Sequence, residues 1–169
     1  MLKLESNSLH DTRRAAPCGD APKKVTKNSS GSGADNAFVY RVYYEDTDAG
    51  GVVYYANYLK FFERARTDFL RARNISQSEL AEKENLIFVV RRCEIDYIAP
   101  ARLDDLIELS VVVKKISAAS ISMEQEITKS GKILSRLNVE IVCVQADNFK
   151  PKKIPKTLKT SFEKGGGLT

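Results

Sequence analysis

Between Leu86 and Cys143 the chain reads as four successive strand runs, three of them with apolar residues at every second position, and this pattern points to a fold built on an antiparallel sheet. Leu86 to Ile98 is rich in β-branched residues and stops at Pro100. Ile107, Leu109, Val111 and Val113 then alternate with Glu108, Ser110, Val112 and Lys114. Ile121, Met123, Gln125 and Ile127 alternate with Ser122, Glu124, Glu126 and Thr128. Ile133, Leu137, Val139, Ile141 and Cys143 share one parity, with Arg136, Asn138 and Glu140 on the other. Short Ser/Gly-rich or acidic stretches separate the runs, as hairpins require.

Ahead of these strands the period changes. Phe38 to Tyr44 reads as a short aromatic strand, and Glu45 to Gly51 as an acidic, turn-rich loop. From about Ala56 to Asn74 the pattern is helical: Tyr58, Phe62, Ala65 and Phe69 recur at 4-3-4 spacing, while Lys60, Arg64, Asp68 and Arg71 face away. A shorter polar helix is expected over Gln77 to Asn85. The order β–α–α–β–β–β–β makes this an α+β chain with one long helix packed on an antiparallel sheet.

The ends differ from the body. Residues 1–36 contain no aromatic residue and include the run Asn28-Ser29-Ser30-Gly31-Ser32-Gly33, so a disordered extension is expected there. The formal charge is +2 over residues 1–36, −2 over 37–147 and +5 over 148–169. The sequence pI near 9.1 therefore belongs to the ends, and the terminal lysines read as a solvated basic tail over 156–169. A basic stripe with interleaved aromatics on a folded face is absent, so no nucleic-acid partner is expected. No run reaches the ~18 apolar residues of a membrane span.

Three cysteines, Cys18, Cys93 and Cys143, show no CxxC spacing and read as free thiols of a cytoplasmic protein. Cys93 and Cys143 fall in strand patterns and are expected to be small buried hydrophobes. The single histidine, His10, lies in the extension. Triads built on imidazole and the usual zinc ligand sets are thereby excluded from the ordered body, and no metal or redox cofactor is expected. Chemistry falls to carboxylates, tyrosines and backbone amides.

The segment that carries it is Tyr43 to Arg66, YYEDTDAGGVVYYANYLKFFERAR. It joins an acidic loop and two glycines to the start of a helix, where N–H groups without partners can receive an oxyanion. Asp48 stands seven residues before Tyr55, near enough for a looped chain to bring a carboxylate to those amides. A carboxylate beside an oxyanion hole is a minimal acyl-transfer site. On spacing alone, Asp and Gly in a loop ordinarily just make a turn.

The stretch DTDAGGVVYYANYLKFFERAR closely resembles the N-terminal motif of the hotdog-fold acyl-CoA thioesterases, among them the 4-hydroxybenzoyl-CoA thioesterases and the Tol–Pal-associated acyl-CoA thioesterases. The likeness extends to Ile98-Ala99-Pro100-Ala101-Arg102-Leu103-Asp104-Asp105 and covers roughly residues 38–155. It implies a hotdog domain over 37–155, an antiparallel sheet wrapped around one long central helix. It also implies hydrolysis of acyl-CoA thioesters in an active site shared between subunits of a homodimer or homotetramer. By the same likeness Asp48 is the catalytic carboxylate, as nucleophile or as general base, and the amide of Tyr55 is the oxyanion contact. Many Tol–Pal-associated members have histidine where this chain has Tyr55, whereas the hydroxybenzoyl branch has tyrosine. The Tyr55 side chain would then shape the acyl pocket.

Gly51, Val53, Tyr54, Asn57 and Tyr58 are the expected substrate contacts around that centre. Val52, Val53 and Tyr54 would supply a dry wall that could raise the Asp48 pKa for general-base work. For Asn57, capping the helix is the preferred structural role and orienting the loop the other. Asp46 is a loop-stabilising acceptor. Glu63, on the helix beside Arg64 and Arg66, is read as an ion-pair residue and as the reserve carboxylate. Tyr58, Phe62 and Phe69 fit a core as well as a substrate wall. Family members hold the CoA nucleotide with surface basic residues, for which Lys114, Lys115 and the group Lys150, Lys152 and Lys153 are candidates; Ala118 and Ala119 stand where the hydroxybenzoyl branch is basic. The competing function is a non-catalytic acyl-CoA or acyl-carrier-protein binding module, to which the basic C-terminus would be suited. Asp48 and the Gly50-Gly51 hinge argue against it, since a pure binder needs neither.

Overall fold

A computed structural model describes residues 37–163. The expected N-terminal extension, with His10 and Cys18, lies outside the described residues. Five strands form one antiparallel sheet: β1 (Ala37–Arg41), β2 (Ile87–Tyr97), β3 (Leu106–Ile116), β4 (Ser120–Lys129) and β5 (Lys132–Val144). Their order across the sheet is β1-β3-β4-β5-β2, so β1 and β2 are the edges. The β4–β5 hairpin turns on Ser130 (φ 50°) and Gly131 (φ 79°), both left-handed, as the tightest two-residue hairpins require.

Helix α1 (Asn57–Arg71) packs on one face of this sheet. Tyr58, Phe62, Ala65 and Phe69, the stripe expected from spacing, are all buried, joined by Phe61 and Leu70. Opposite them, Ile107, Leu109, Val111 and Val113 of β3, Ile121, Met123 and Ile127 of β4, and Leu137, Val139, Ile141 and Cys143 of β5 are buried as their parity foretold. Each large side chain so removed from water contributes about 1.5–3 kcal/mol. A long polar side chain also lies among them. Gln125, fully buried on β4, donates from Nε2 to the Phe62 carbonyl (3.0 Å) and accepts from Arg66 Nη1 (2.8 Å), which pins the helix to the sheet.

Helix α2 (Gln77–Glu84) begins at Ser76, whose hydroxyl accepts the Glu79 N–H, and ends at left-handed Asn85. Two expectations fail. The tail was to be solvated from 156 onward, but Lys156–Glu163 forms a third helix, α3. Its Leu158 and Phe162 are buried, and the Phe162 ring contacts Phe69 (centroids 6.3 Å apart) and Phe88 (6.1 Å). The lysines mask an i, i+4 apolar pair that closes one end of the core. Cys93, expected to be buried, is exposed, because β2 is an edge strand that the helix does not cover; Cys143 on β5 is buried. No helix among the described residues is long and apolar enough to cross a membrane.

Candidate active site

The loop between β1 and α1 is built by its own acidic residues. Asp46, buried at 2% exposure, accepts the Tyr43 N–H through Oδ2 (2.9 Å), the loop-stabilising part expected of it. Tyr54 N–H returns to the Asp46 carbonyl (2.9 Å), and Thr47 bridges Val53, so the loop closes on itself. At its tip the Asp48 N–H donates to the Val52 carbonyl (2.9 Å) and Gly51 N–H to the Asp48 carbonyl (3.0 Å). Gly51 takes φ +70°, a left-handed conformation that glycine adopts without strain. Gly50 is favoured for a different reason. Its N–H donates to Asp48 Oδ1 (2.8 Å), and a Cβ there would sit 3.1 Å from that same oxygen.

Asp48 is exposed, and its Oδ2 has no hydrogen-bond partner among the described residues. It lines a surface cleft of about 330 Å³ with Val52, Val53, Tyr55, Tyr58, Tyr97, Ile98, Ala99 and Pro100. The loop is fastened to the far wall by Val53 N–H, which donates to the Ala101 carbonyl (2.8 Å), and by a bridge from Val52 to Arg102. Ala101 N–H in turn donates to the Tyr58 hydroxyl (3.0 Å), and burial pushes that phenol's pKa up.

At the start of α1, Asn57 N–H donates to the Tyr54 carbonyl (2.8 Å) and Leu59 N–H to the Ala56 carbonyl (3.2 Å). The N-cap residue is Ala56, which has no capping side chain. Tyr55 N–H has no acceptor among the described residues. Asn57 therefore does not cap the helix, the role first assigned to it. Its Nδ2 donates to the Asp46 (3.1 Å) and Glu45 (3.3 Å) carbonyls and ties the helix start to the acidic loop.

Of the expected site residues, Asp48, Tyr55, Val53 and Tyr58 come together in the cleft, and Gly51 shapes its loop. Tyr54 does not line the cleft; its ring leans on Tyr55 (centroids 4.6 Å apart) and is 41% exposed, so it is no part of a dry wall. Lys114 and Lys115 do not line the cleft either. Lys115 pairs with Ser122 on the sheet face turned away from α1, and Lys114 Nζ makes an ion pair with Glu124 (3.2 Å). Lys152 Nζ donates to the Glu84 carbonyl. Glu63 accepts the Thr67 hydroxyl (2.7 Å) and lines a separate groove with Tyr40, Arg64 and Arg71. Sequence reasoning missed Tyr97, whose hydroxyl reaches the Tyr55 carbonyl; an aromatic residue at a strand end beside the Ile98–Pro100 motif was the signal available. Among the described residues no cluster of three or more His, Cys, Asp or Glu is placed to hold a metal ion.

Against known proteins, residues 42–162 match the model of the thioesterase-like superfamily. The match reaches into α3, beyond the boundary at 155. The chain is 47% identical over 130 residues to the acyl-CoA thioesterase YbgC of Haemophilus influenzae, covering 76% of this chain and 96% of that protein. It is 44% identical over 124 residues to the acyl-CoA thioester hydrolase YbgC of Escherichia coli, covering 73% and 92%. Among solved structures, a probable thioesterase from Bartonella henselae superposes with a TM-score of 0.68 at 38% identity, covering 70% of this chain and 98% of that one.

Proposed function

The chain belongs to the thioesterase-like superfamily, with the hotdog fold and as a thioesterase, and we propose on that premise that it hydrolyses acyl-CoA thioesters to the free acid and CoA in the Asp48 cleft. One observation carries this reading: Asp48, with an unpartnered carboxylate oxygen, and Tyr55, whose amide has no acceptor among the described residues, line the same cleft. In the reaction, a Tyr55 N–H donor stabilises the oxygen that becomes negative as the thioester carbonyl is attacked.

Asp48 acts in one of two ways. As a nucleophile, its oxygen bonds to the thioester carbon, the tetrahedral oxyanion collapses, and the C–S bond breaks to release CoA thiolate; water then cleaves the mixed anhydride. As a general base, it takes a proton from a water whose oxygen attacks the same carbon, and the tetrahedral oxyanion collapses with cleavage of the C–S bond to release the acid and CoA thiolate. Either route suits a site with no imidazole among its described residues. A thiol of pKa about 8.5 leaves as the anion and needs no acid to protonate it, unlike an amine. Tyr58 and Tyr97 form an aromatic wall for the acyl end, and the CoA nucleotide projects out of the cleft, away from the sheet face that carries Lys114 and Lys115.

We extend the reading to self-association. Supporting it, β2 leaves an open sheet edge on which Val90 is 52% exposed, and Tyr97 (48%) and Ile98 (52%) continue it to the rim of the cleft.

The test is thiol release from short, long and aromatic acyl-CoAs by the wild-type protein and Asp48→Asn. The expected result is turnover by wild type and a loss of at least ~10³-fold in a folded variant, on the scale of removing a catalytic group. Turnover that survives the substitution would place the chemistry elsewhere, with Glu63 next in line. Binding without turnover by the wild type would favour the scaffold module.

A further inference from the structure

Tyr97 reaches the cleft because of an irregularity in β2. Val90 pairs with Ile141 of β5, but the next partners are Arg92 and Glu140, so Arg91 is an extra residue in the ladder. A bulge of this kind reverses which face the following side chains take. Before it, Phe88 and Val90 lie opposite Cys143 and Ile141; after it, Cys93, Ile95 and Tyr97 lie opposite Val139, Leu137 and Ser135. All five of those β5 residues are buried on the helix side. Without the extra residue Tyr97 would stand on the opposite face, away from α1.

Thus directed, the Tyr97 ring packs edge-on to Tyr58 (centroids 5.4 Å, 76°) and to Tyr55 (6.5 Å, 87°). Its hydroxyl donates to the Tyr55 carbonyl at 3.0 Å. That carbonyl is available because Leu59 N–H goes to Ala56 instead. The peptides on either side of Tyr55 are therefore both held through their carbonyls: Tyr54 C=O accepts Asn57 N–H (2.8 Å), and Tyr55 C=O accepts Tyr97. Hydrogen bonding at a carbonyl polarises its own peptide N–H and fixes the peptide plane. The two together determine where the Tyr55 N–H points.

Resting on the thioesterase reading above, we infer that Tyr97 is a positioning residue for the oxyanion contact, delivered across the cleft by the β2 bulge. It acts through the Tyr55 main chain, and its hydroxyl, rather than its ring alone, is what the reaction uses.

The test compares wild type, Tyr97→Phe and Tyr97→Leu in thiol release on the best acyl-CoA from the panel, beside the amide NMR shift of Ala56, whose N–H shares the peptide of the Tyr55 carbonyl. Tyr97→Phe keeps the ring and removes one oriented hydrogen bond. It should lower kcat by roughly three- to tenfold, with KM within twofold and unchanged unfolding cooperativity. The Ala56 amide resonance should move in the same variant. Tyr97→Leu should show the same kcat loss and a raised KM as the wall is lost. A merely structural tyrosine would lower stability in Tyr97→Phe and leave the kcat of the folded fraction unchanged, which would overturn the inference. An unmoved Ala56 resonance would overturn it also, whether or not the chain turns over thioesters. A wild type without thioesterase activity would instead sink the underlying reading, while the Ala56 shift would still decide whether Tyr97 sets the helix start.

Discussion

Two neighbouring strands, β5 and β2, carry similar apolar patterns and have opposite fates. On β5, Leu137, Val139, Ile141 and Cys143 are buried against the helix. On β2, their partners Ile95 and Phe88 are only partly covered, while Cys93 and Val90 are exposed. The two cysteines show the contrast most simply, since both face the helix side and only Cys143 is out of water. Alternation encodes which face a residue occupies; coverage of that face depends on strand order, which the pattern does not contain. Here the uncovered strand ends at the cleft, so the part of the sheet least used for stability is the part that serves the site.

The largest test of this contrast is mechanical. Phe62→Ala opens a cavity under the covered part of the sheet and should cost about 3–5 kcal/mol in urea unfolding, whereas Val90→Ala should stay within about 1 kcal/mol. Similar losses at both positions would mean that β2 is as covered as β5, as a partner along its edge would make it.

Thiol labelling sharpens the point. In a Cys18→Ser background, Cys93 should react with a disulfide reagent in the native state at least ~100-fold faster than Cys143, which must wait for the structure to open. Burial also pushes the Cys143 thiol up, away from the reactive thiolate. If Cys93 becomes protected as protein concentration rises, the open edge is covered by a second copy.

A smaller effect lies at the other edge. Tyr40, next to β3 through β1, donates to Asp68 Oδ2 at 2.6 Å. Burial, and then that carboxylate, push its pKa well above the ordinary 10. The folded state thus keeps a proton that the unfolded chain releases, and the tyrosine's stabilisation, complete below pH 10, is lost as pH rises beyond it. Tyr40→Phe should cost about 1 kcal/mol at neutral pH and make stability fall less steeply above pH 10; an alkaline limb identical to wild type would contradict this.

Much of this was legible in the residues. The 4-3-4 stripe of α1 and the parity of β3, β4 and β5 are short-range patterns, and burial followed them. The glycine-bearing loop with Asp48, and Tyr55 at a helix start, could be located because loop chemistry and helix ends are local too. What escaped was set by tertiary context. Leu158 and Phe162 are two apolar residues among lysines, and only a gap beside Phe69 and Phe88 gives them a use. Asn57 looked like a cap because Asn favours that position, but the nearby Asp46 and Glu45 carbonyls took its amide. Tyr97 could not be assigned a side, since nothing in the strand's composition announces the bulge at Arg91 that turns it inward.

The account rests on one placement, a thioester carbonyl held between Asp48 and the Tyr55 amide. A crystal structure with a CoA ketone analogue, in which a methylene separates sulfur from carbonyl and prevents hydrolysis, tests it directly. The predicted result is a ketone oxygen within ~2.7–3.2 Å of the Tyr55 nitrogen and its carbon beside the Asp48 carboxylate. An acyl group seated instead in the groove of Glu63 and Arg64, with the Asp48 cleft empty, would contradict it.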